Sequence, residues 1–275
     1  MDRFRIIGAV LFAAAAAASS TFAQSAACSD SFAVAEVGEG KTWRLAAFDK
    51  SAFGAATVAD GKLTLAGRGG DIYGTRNEFV AVYRSDIQGD FDVSVELVSQ
   101  DSVHEWSQAG IVAATDLTNL AKGGYVAVDL SPGHGYTVFF DQKAPVGQLD
   151  GNSGVGKTAY PSWLRLAKKG MQYTAWYMNM EGAAWIPLPN PPQSLNTQAN
   201  AQIGLFTVSH NAGETGKAVF DNFTCMHTAT THLSKGGSRF PQGFPSLLPS
   251  LSTDALGKVS RETAGIAIPV RIFER

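Results

Sequence analysis

The chain has 275 residues, 45% of them hydrophobic and 17% charged, with a formal net charge of −2. This composition excludes a disordered chain, and the near-balanced charge gives no argument for a nucleic-acid or membrane-surface partner. Two cysteines are too few for a disulfide-dense miniprotein or a four-thiolate zinc site, and the length suits one large all-β domain or two small ones.

Arg3 and Arg5 precede an apolar run over 6–18, and small residues follow it. That is the layout of a secretory signal, with cleavage expected after Ala23. The run is shorter than the roughly 20 residues of a spanning helix, and no later segment is a candidate membrane span. A secreted or periplasmic protein is expected. Such a compartment permits a disulfide, and Cys28 opens the mature domain while Cys225 closes its last apolar strand, so the two are expected to pair. The alternative is a lipidated Cys28 in an outer-membrane lipoprotein, since Ser-Ala-Ala-Cys over 25–28 has a faint lipobox character without its usual aliphatic residue.

From Trp43 onward short alternating stretches dominate. In 91–97, Phe91, Val93, Val95 and Leu97 share one face, and Asp92, Ser94 and Glu96 the other. Period two is the pattern of a half-buried strand. Similar stretches lie at 63–66, 79–83, 110–114, 125–130, 136–141, 163–166, 172–178, 185–188, 202–208 and 217–224, separated by Gly, Pro, Asn and Asp. Many short strands with turn signals and no convincing long amphipathic helix predict an antiparallel two-sheet sandwich over 24–226.

Past Cys225 the character changes. Residues 227–275 begin rich in Ser, Thr, Gly and Pro and are expected to form a linker and a C-terminal tail. Residues 24–225 hold 14 basic and 20 acidic side chains, and residues 226–275 hold 6 and 3. The basic tail suits a solvated segment or an attachment segment.

Several strings taken together resemble a known family: GGDIYG at 69–74, GDFDV at 89–93, WSQAGI at 106–111, YPSWLRL at 160–166, EGAAW at 181–185, IGLF at 203–206 followed by Ser209-His210, and AVFDN at 218–222. In this order they resemble the concanavalin A-like lectin/glucanase superfamily, in its "regulation of enolase protein"-like branch of unknown function. The resemblance spans about residues 43–225 and implies an all-β jelly roll with one concave sheet. Relatives often accompany carbohydrate-active enzymes, so it also implies sugar binding by analogy. Two positions depart from the family pattern: Ala114 stands where an arginine is usual, and Glu181 where an aspartate is usual.

The string GNSGVGKT at 151–158 satisfies the phosphate-loop pattern. That mechanism needs a helix starting at Lys157, whereas Pro161 follows at once and 163–166 reads as a strand. A Gly/Ser hairpin loop and no nucleotide partner are expected. No Glu-x-Asp-x-x-Glu string marks a retaining glucanase. Asp92 and Glu96 share a strand face in a common solvated pattern, and no carboxylate pair at the 5–5.5 Å of a retaining glycosidase can be named. Among the histidines, His104, His134, His210, His227 and His232 show no metal-ligand spacing, and His227 and His232 fall in the expected linker. No cofactor is expected. A structural calcium stays open, with Asp221 as its candidate ligand or, more simply, a strand-end hydrogen-bond acceptor.

The aromatics carry the functional hint. If Leu164 and Leu166 face the core, Trp163 and Arg165 face out. Trp176 shares its face with Gln172 and Thr174. Mixed aromatic and polar clusters suit a sugar, whose ring stacks while its hydroxyls are hydrogen-bonded. The expected glycan site is Trp106, Gln108, Arg165, Trp176 and His210 on the concave sheet, with Asp71 from a loop. The expected function is non-catalytic, lectin-like binding of a polysaccharide or oligosaccharide. The alternatives are an extracellular glycoside hydrolase and an envelope or adhesion protein. Ordinary core packing is the competing role for each tryptophan.

Overall fold

A computed structural model describes residues 24–48, 53–73, 76–141, 151–170, 172–189 and 200–229. The expected signal peptide and the tail from 230 onward, with His232, lie outside these residues. The described strands, in chain order, are β1 (Gln24–Ala27), β2 (Arg44–Ala47), β3 (Gly54–Ala59), β4 (Lys62–Gly69), β5 (Ile72–Tyr73), β6 (Arg76–Asn77), β7 (Val80–Gln88), β8 (Phe91–Gln100), β9 (Gln108–Ala114), β10 (Tyr125–Ser131), β11 (Gly135–Asp141), β12 (Gly151–Val155), β13 (Ser162–Lys169), β14 (Gln172–Met178), β15 (Ile186–Pro187), β16 (Asn200–Val208) and β17 (Asn211–Ala229).

They form two antiparallel sheets. The first runs β15-β14-β13-β8-β17-β4-β3, with short β1 added alongside β17. The second runs β12-β11-β10-β9-β16-β7-β2, and β5 and β6 make a separate small hairpin. The fold is the expected all-β sandwich. Strands adjacent in space are often distant in sequence, as in β8 beside β17 and β9 beside β16.

The first sheet buries one face only. Its strands β4, β8 and β13 alternate buried and half-buried residues, as period two requires when one face meets the core and the other meets solvent. Leu63, Leu65, Val93, Val95, Leu164, Leu166 and Phe220 are buried in the inter-sheet core, against Ile111, Val126, Val128, Val138, Ile203 and Leu205 of the second sheet. The second sheet is different. Every residue of β9 and β10 is buried, because its outer face supports a second apolar cluster. There Val112, Ala127, Phe139 and Phe206 pack beneath Phe48, Ile72, Leu117 and Leu120, four residues outside the two sheets. The near-continuous apolar runs at 110–114 and 125–130 are the sequence mark of this two-sided burial.

Two expectations shift. The string at 151–155 is strand β12, paired with β11, rather than a free hairpin loop: its alternating backbone groups complete the sheet edge. The last strand does not stop at Cys225. It continues to Ala229, with β1 paired to 226–229. His227 therefore belongs to the sheet, where its Nδ1 accepts a hydrogen bond from the Gln88 amide at 3.1 Å. Cys28 and Cys225 are joined by a disulfide, which leaves Cys28 no thiol for an acyl chain.

Candidate functional site

On the outer face of the second sheet a cavity of about 300 Å³ opens. Gln108 of β9 and Thr137 and Phe139 of β11 line it from the sheet. Tyr73 of the small β5–β6 hairpin lines it as well, with Asp71, Trp106 and His210 from the surrounding loops. Trp106 and Tyr73 are each 42% exposed, whereas Gln108 is only 6% exposed. Two amphipathic rings thus stand at the rim of a hole whose floor sets the Gln108 amide and the Thr137 hydroxyl beside the Phe139 ring.

The rim is held by hydrogen bonds between loops that are far apart in sequence. In the segment after β8, the His104 amide donates to Ser107 Oγ at 3.0 Å, and the Trp106 amide donates to His104 Nδ1 at 3.1 Å. Ser107 Oγ in turn donates to the Ser209 carbonyl at 2.7 Å. This ties the Trp106 segment to the tight turn between β16 and β17. His210 sits in that turn at φ 57°, a left-handed conformation that histidine adopts more readily than most non-glycine residues. The Gly133 amide donates to the Glu105 carbonyl at 2.9 Å, fastening the β10–β11 hairpin to the same segment. Face-to-face stacking of Trp106 on His134 and of His104 on His210 completes the rim.

The polar groups are short of donors. Gln108 Oε1 is buried with no hydrogen-bond partner, as is Asp129 Oδ1. Asp129 lies on β10 opposite both Gly110 of β9 and Thr137 of β11, beside the cavity floor, and is fully buried. Burial holds its carboxyl well above the usual carboxylate range, and the Asp71 charge adds to that. A hydrogen bond from Ser131 works in the opposite direction. Burial also raises Asp71, against the opposing pull of His210, whose Nε2 stands 3.6 Å from Asp71 Oδ2. The site therefore combines one carboxylate at its wall, a second carboxyl biased toward its protonated form, and an amide oxygen awaiting a donor.

Of the six residues expected to bind glycan, four meet here: Asp71, Trp106, Gln108 and His210. The other two lie on the first sheet, facing away from the core on the opposite side of the sandwich. Leu164 and Leu166 do point inward, fully buried, so Arg165 points out. Its Nε and Nη2 donate to the two carboxylate oxygens of Asp92 at 2.8 and 2.5 Å. Its guanidinium lies over Trp176 at 4.6 Å and over Trp185 at 5.7 Å. Period two correctly assigned the faces within β13, but it cannot say which sheet a strand joins. Tyr73, Thr137, Phe139 and Asp129 were missed. Tyr73 lay within the quoted GGDIYG string, and Asp129 was visible as one carboxylate inside an otherwise apolar run at 125–130.

Among the described residues no three His, Cys, Asp or Glu side chains converge as a metal-binding group. Asp221 accepts a hydrogen bond from the Asn222 amide at 2.7 Å and stands 3.7 Å from Lys62 Nζ; it lies within β17 at a register shift, not at a strand end.

Among solved structures, the chain is similar to a functionally unknown protein from Saccharomyces cerevisiae, at 16% identity and TM-score 0.50, over 68% of this chain and 97% of that one. It is also similar to SCLam, a non-specific endo-β-1,3(4)-glucanase of family GH16, at 11% identity and TM-score 0.50, over 74% and 92% of the two chains. The fold is concanavalin A-like. A mutant of the GH43 protein BlXynB from Bacillus licheniformis matches at 18% identity and TM-score 0.51, over 72% of this chain but only 39% of its own. At these identities the concanavalin A-like likeness concerns architecture alone. No protein-family model matches the chain, and no curated protein matches it in sequence.

Proposed function

We propose that this protein is a non-catalytic, lectin-like carbohydrate-binding protein that holds a sugar ring in the cavity between Trp106 and Gln108. The observation that carries this reading is the pairing of exposed aromatic rings at the rim with unpartnered buried acceptors at and beside the floor. A sugar offers what such a site lacks: an apolar ring face for the indole and hydroxyl donors for Gln108 Oε1 and Asp71. The Cys28–Cys225 disulfide fits an oxidising, extracytoplasmic setting for such a ligand. A broad glycan array probed with the wild type and with Trp106→Ala tests it. Retention of the wild type on at least one glycan class, lost in the variant, is expected. Retention on none overturns the reading.

Hydrolysis is a second reading, favoured by one observation: burial raises both Asp71 and Asp129, and the Asp71 charge raises Asp129 further, as an acid and its partner are set apart in many hydrolytic sites. Release of reducing ends from a polysaccharide panel, abolished in Asp71→Asn, would promote it over plain binding.

A further inference from the structure

The cavity has a marked chemical bias. Its polar lining consists of acceptors, neutral groups and one carboxylate: Asp71, Gln108, Thr137 and His210. Among the described residues no lysine or arginine lines it. Arg76, which acts on Asp71 from the β5–β6 hairpin, is exposed and does not reach the lining. Glu78, on the same side, adds negative charge, and its Oε2 accepts from the Gly70 amide at 2.8 Å. On the opposite rim Glu105 faces His134 at 3.8 Å. Asp129 lies close by, but burial holds it toward its neutral form, so it does not add to this charge. Three aromatic residues, Tyr73, Trp106 and Phe139, complete the lining. Aromatic π-faces attract cations, and a carboxylate in a partly desolvated wall strengthens that attraction while repelling anions.

We propose that the preferred ligand is an amine-bearing sugar, of the glucosamine type, whose ammonium group lies against Asp71 and the rim aromatics while its hydroxyls donate to Gln108. The inference rests on the carbohydrate reading and goes further by naming the sugar class. An ammonium brings three donors and no acceptor, so it matches a site rich in acceptors better than a neutral amide does. A uronic or sulfated sugar brings a negative charge to a wall that holds no paired cation for it, and that charge would be buried uncompensated. Among the described lining residues His210 is the one group able to carry positive charge, and it already faces Asp71.

The test is calorimetric titration of the full chain with three tetrasaccharides of matched length: a glucosamine oligomer, its N-acetylated counterpart and an oligogalacturonate. It is run at neutral and at mildly acidic pH, because acid protonates the free amines but also draws the raised Asp71 carboxyl toward its neutral form. The glucosamine oligomer should bind about tenfold or more tighter than the acetylated one, a difference of about 1.4 kcal/mol, and the oligogalacturonate weakest. Asp71→Asn should collapse the amine-over-acetyl ratio toward one. If the acetylated or acidic oligomer binds as well as the amine, or the ratio survives in Asp71→Asn, the sugar-class inference falls while the carbohydrate reading stands. If none of the three binds and a broad array also stays empty, the carbohydrate reading itself falls and takes this inference with it.

Discussion

Cys28 and Cys225, 197 residues apart in sequence, are bonded to each other with their Cα atoms 4.8 Å apart. The link is embedded in backbone pairing. The Cys28 amide donates to the Cys225 carbonyl at 2.9 Å, and Asp30 and Phe223 exchange amide and carbonyl bonds two residues further on. Both sulfur-bearing residues belong to the inter-sheet core. The N-terminal segment is thereby fastened along the last strand of the first sheet.

A closed loop of this length gives a large entropic stabilisation in the chain-entropy model, about 5 kcal/mol. The double variant Cys28→Ala/Cys225→Ala should keep the fold, because the flanking backbone ladder remains. Its urea midpoint should fall by a large fraction of the wild-type value. An unchanged midpoint under non-reducing conditions would show that the disulfide contributes nothing. Cysteine substitution is preferable to added reductant, since Cys28 and Cys225 are buried in the folded state.

Asp129 gives a stability prediction of definite sign. Its folded-state carboxyl titrates well above the ordinary range because it is fully buried. A raised folded value means that the native state holds the proton more tightly than the unfolded chain. The contribution of Asp129 is thus fully present below the ordinary aspartate range and is lost as pH rises through the raised native value. Asp129→Asn, which mimics the protonated carboxyl, should match the wild type in acid and become the more stable of the two toward neutral pH. Melting curves at stepped pH check it. A gap that shrinks as pH rises would contradict the burial argument. Asp86 works in the opposite direction: the hydrogen bond from Arg84 lowers its carboxyl, so its contribution is lost as pH falls, and the comparison with Asp129→Asn must be made pH by pH.

The two sheets offer two tryptophan sites, and ligand binding should distinguish them. Trp106 stands at the rim of the cavity on the second sheet. Trp176 lies against Arg165 on the outer face of the first. Trp106→Ala should weaken glycan binding by about tenfold or more, equivalent to about 1.4 kcal/mol. Trp176→Ala should change it by less than about twofold. Direct titration of both variants with the best array ligand gives the answer. The reverse pattern would place the glycan on the first sheet, beside the clefts that flank Asp92 and Trp176.

How much of this was legible in the sequence depends on the range of the interaction concerned. Alternation along 91–97 and 163–166 predicted which side chains face the core, because the strand period is a local property of the backbone. The Cys28–Cys225 pair was legible because only two cysteines exist. The partition of strands between sheets was not legible. The segment 106–108 leading into β9 and strand β13 each carry an aromatic-polar signal, and nothing local states that one belongs to the second sheet and the other to the first. The P-loop-like string at 151–158 likewise read as a glycine-rich loop, because glycine reports permissive backbone and not the neighbouring strand that orders it. Asp129 was overlooked for a related reason: its significance comes from burial beside Asp71, 58 residues away in sequence.

Gly110 shows how close backbone approach shapes the floor of the cavity. It lies on β9 opposite Asp129 of β10 and Phe206 of β16. A Cβ at this position would overlap the carbonyl oxygen of Val128 and come within 2.7 Å of the Asp129 Cα. Both obstacles are backbone atoms, so no side-chain rotation relieves them, and β9 and β10 would have to move apart. Overpacking of that kind costs about 1–3 kcal/mol. Gly110→Ala should therefore lower the urea midpoint and also weaken glycan binding, because Gln108 and Asp129 flank the site of the displacement. Gly213→Ala is the matched control. The added methyl group would meet only Asn211 Oδ1 at 3.4 Å, an ordinary contact in the exposed first stretch of β17, and stability should change by less than about 0.5 kcal/mol. Equal midpoints for the two variants would mean that β9 and β10 tolerate a wider separation than their register implies, and that the cavity floor does not depend on the glycine.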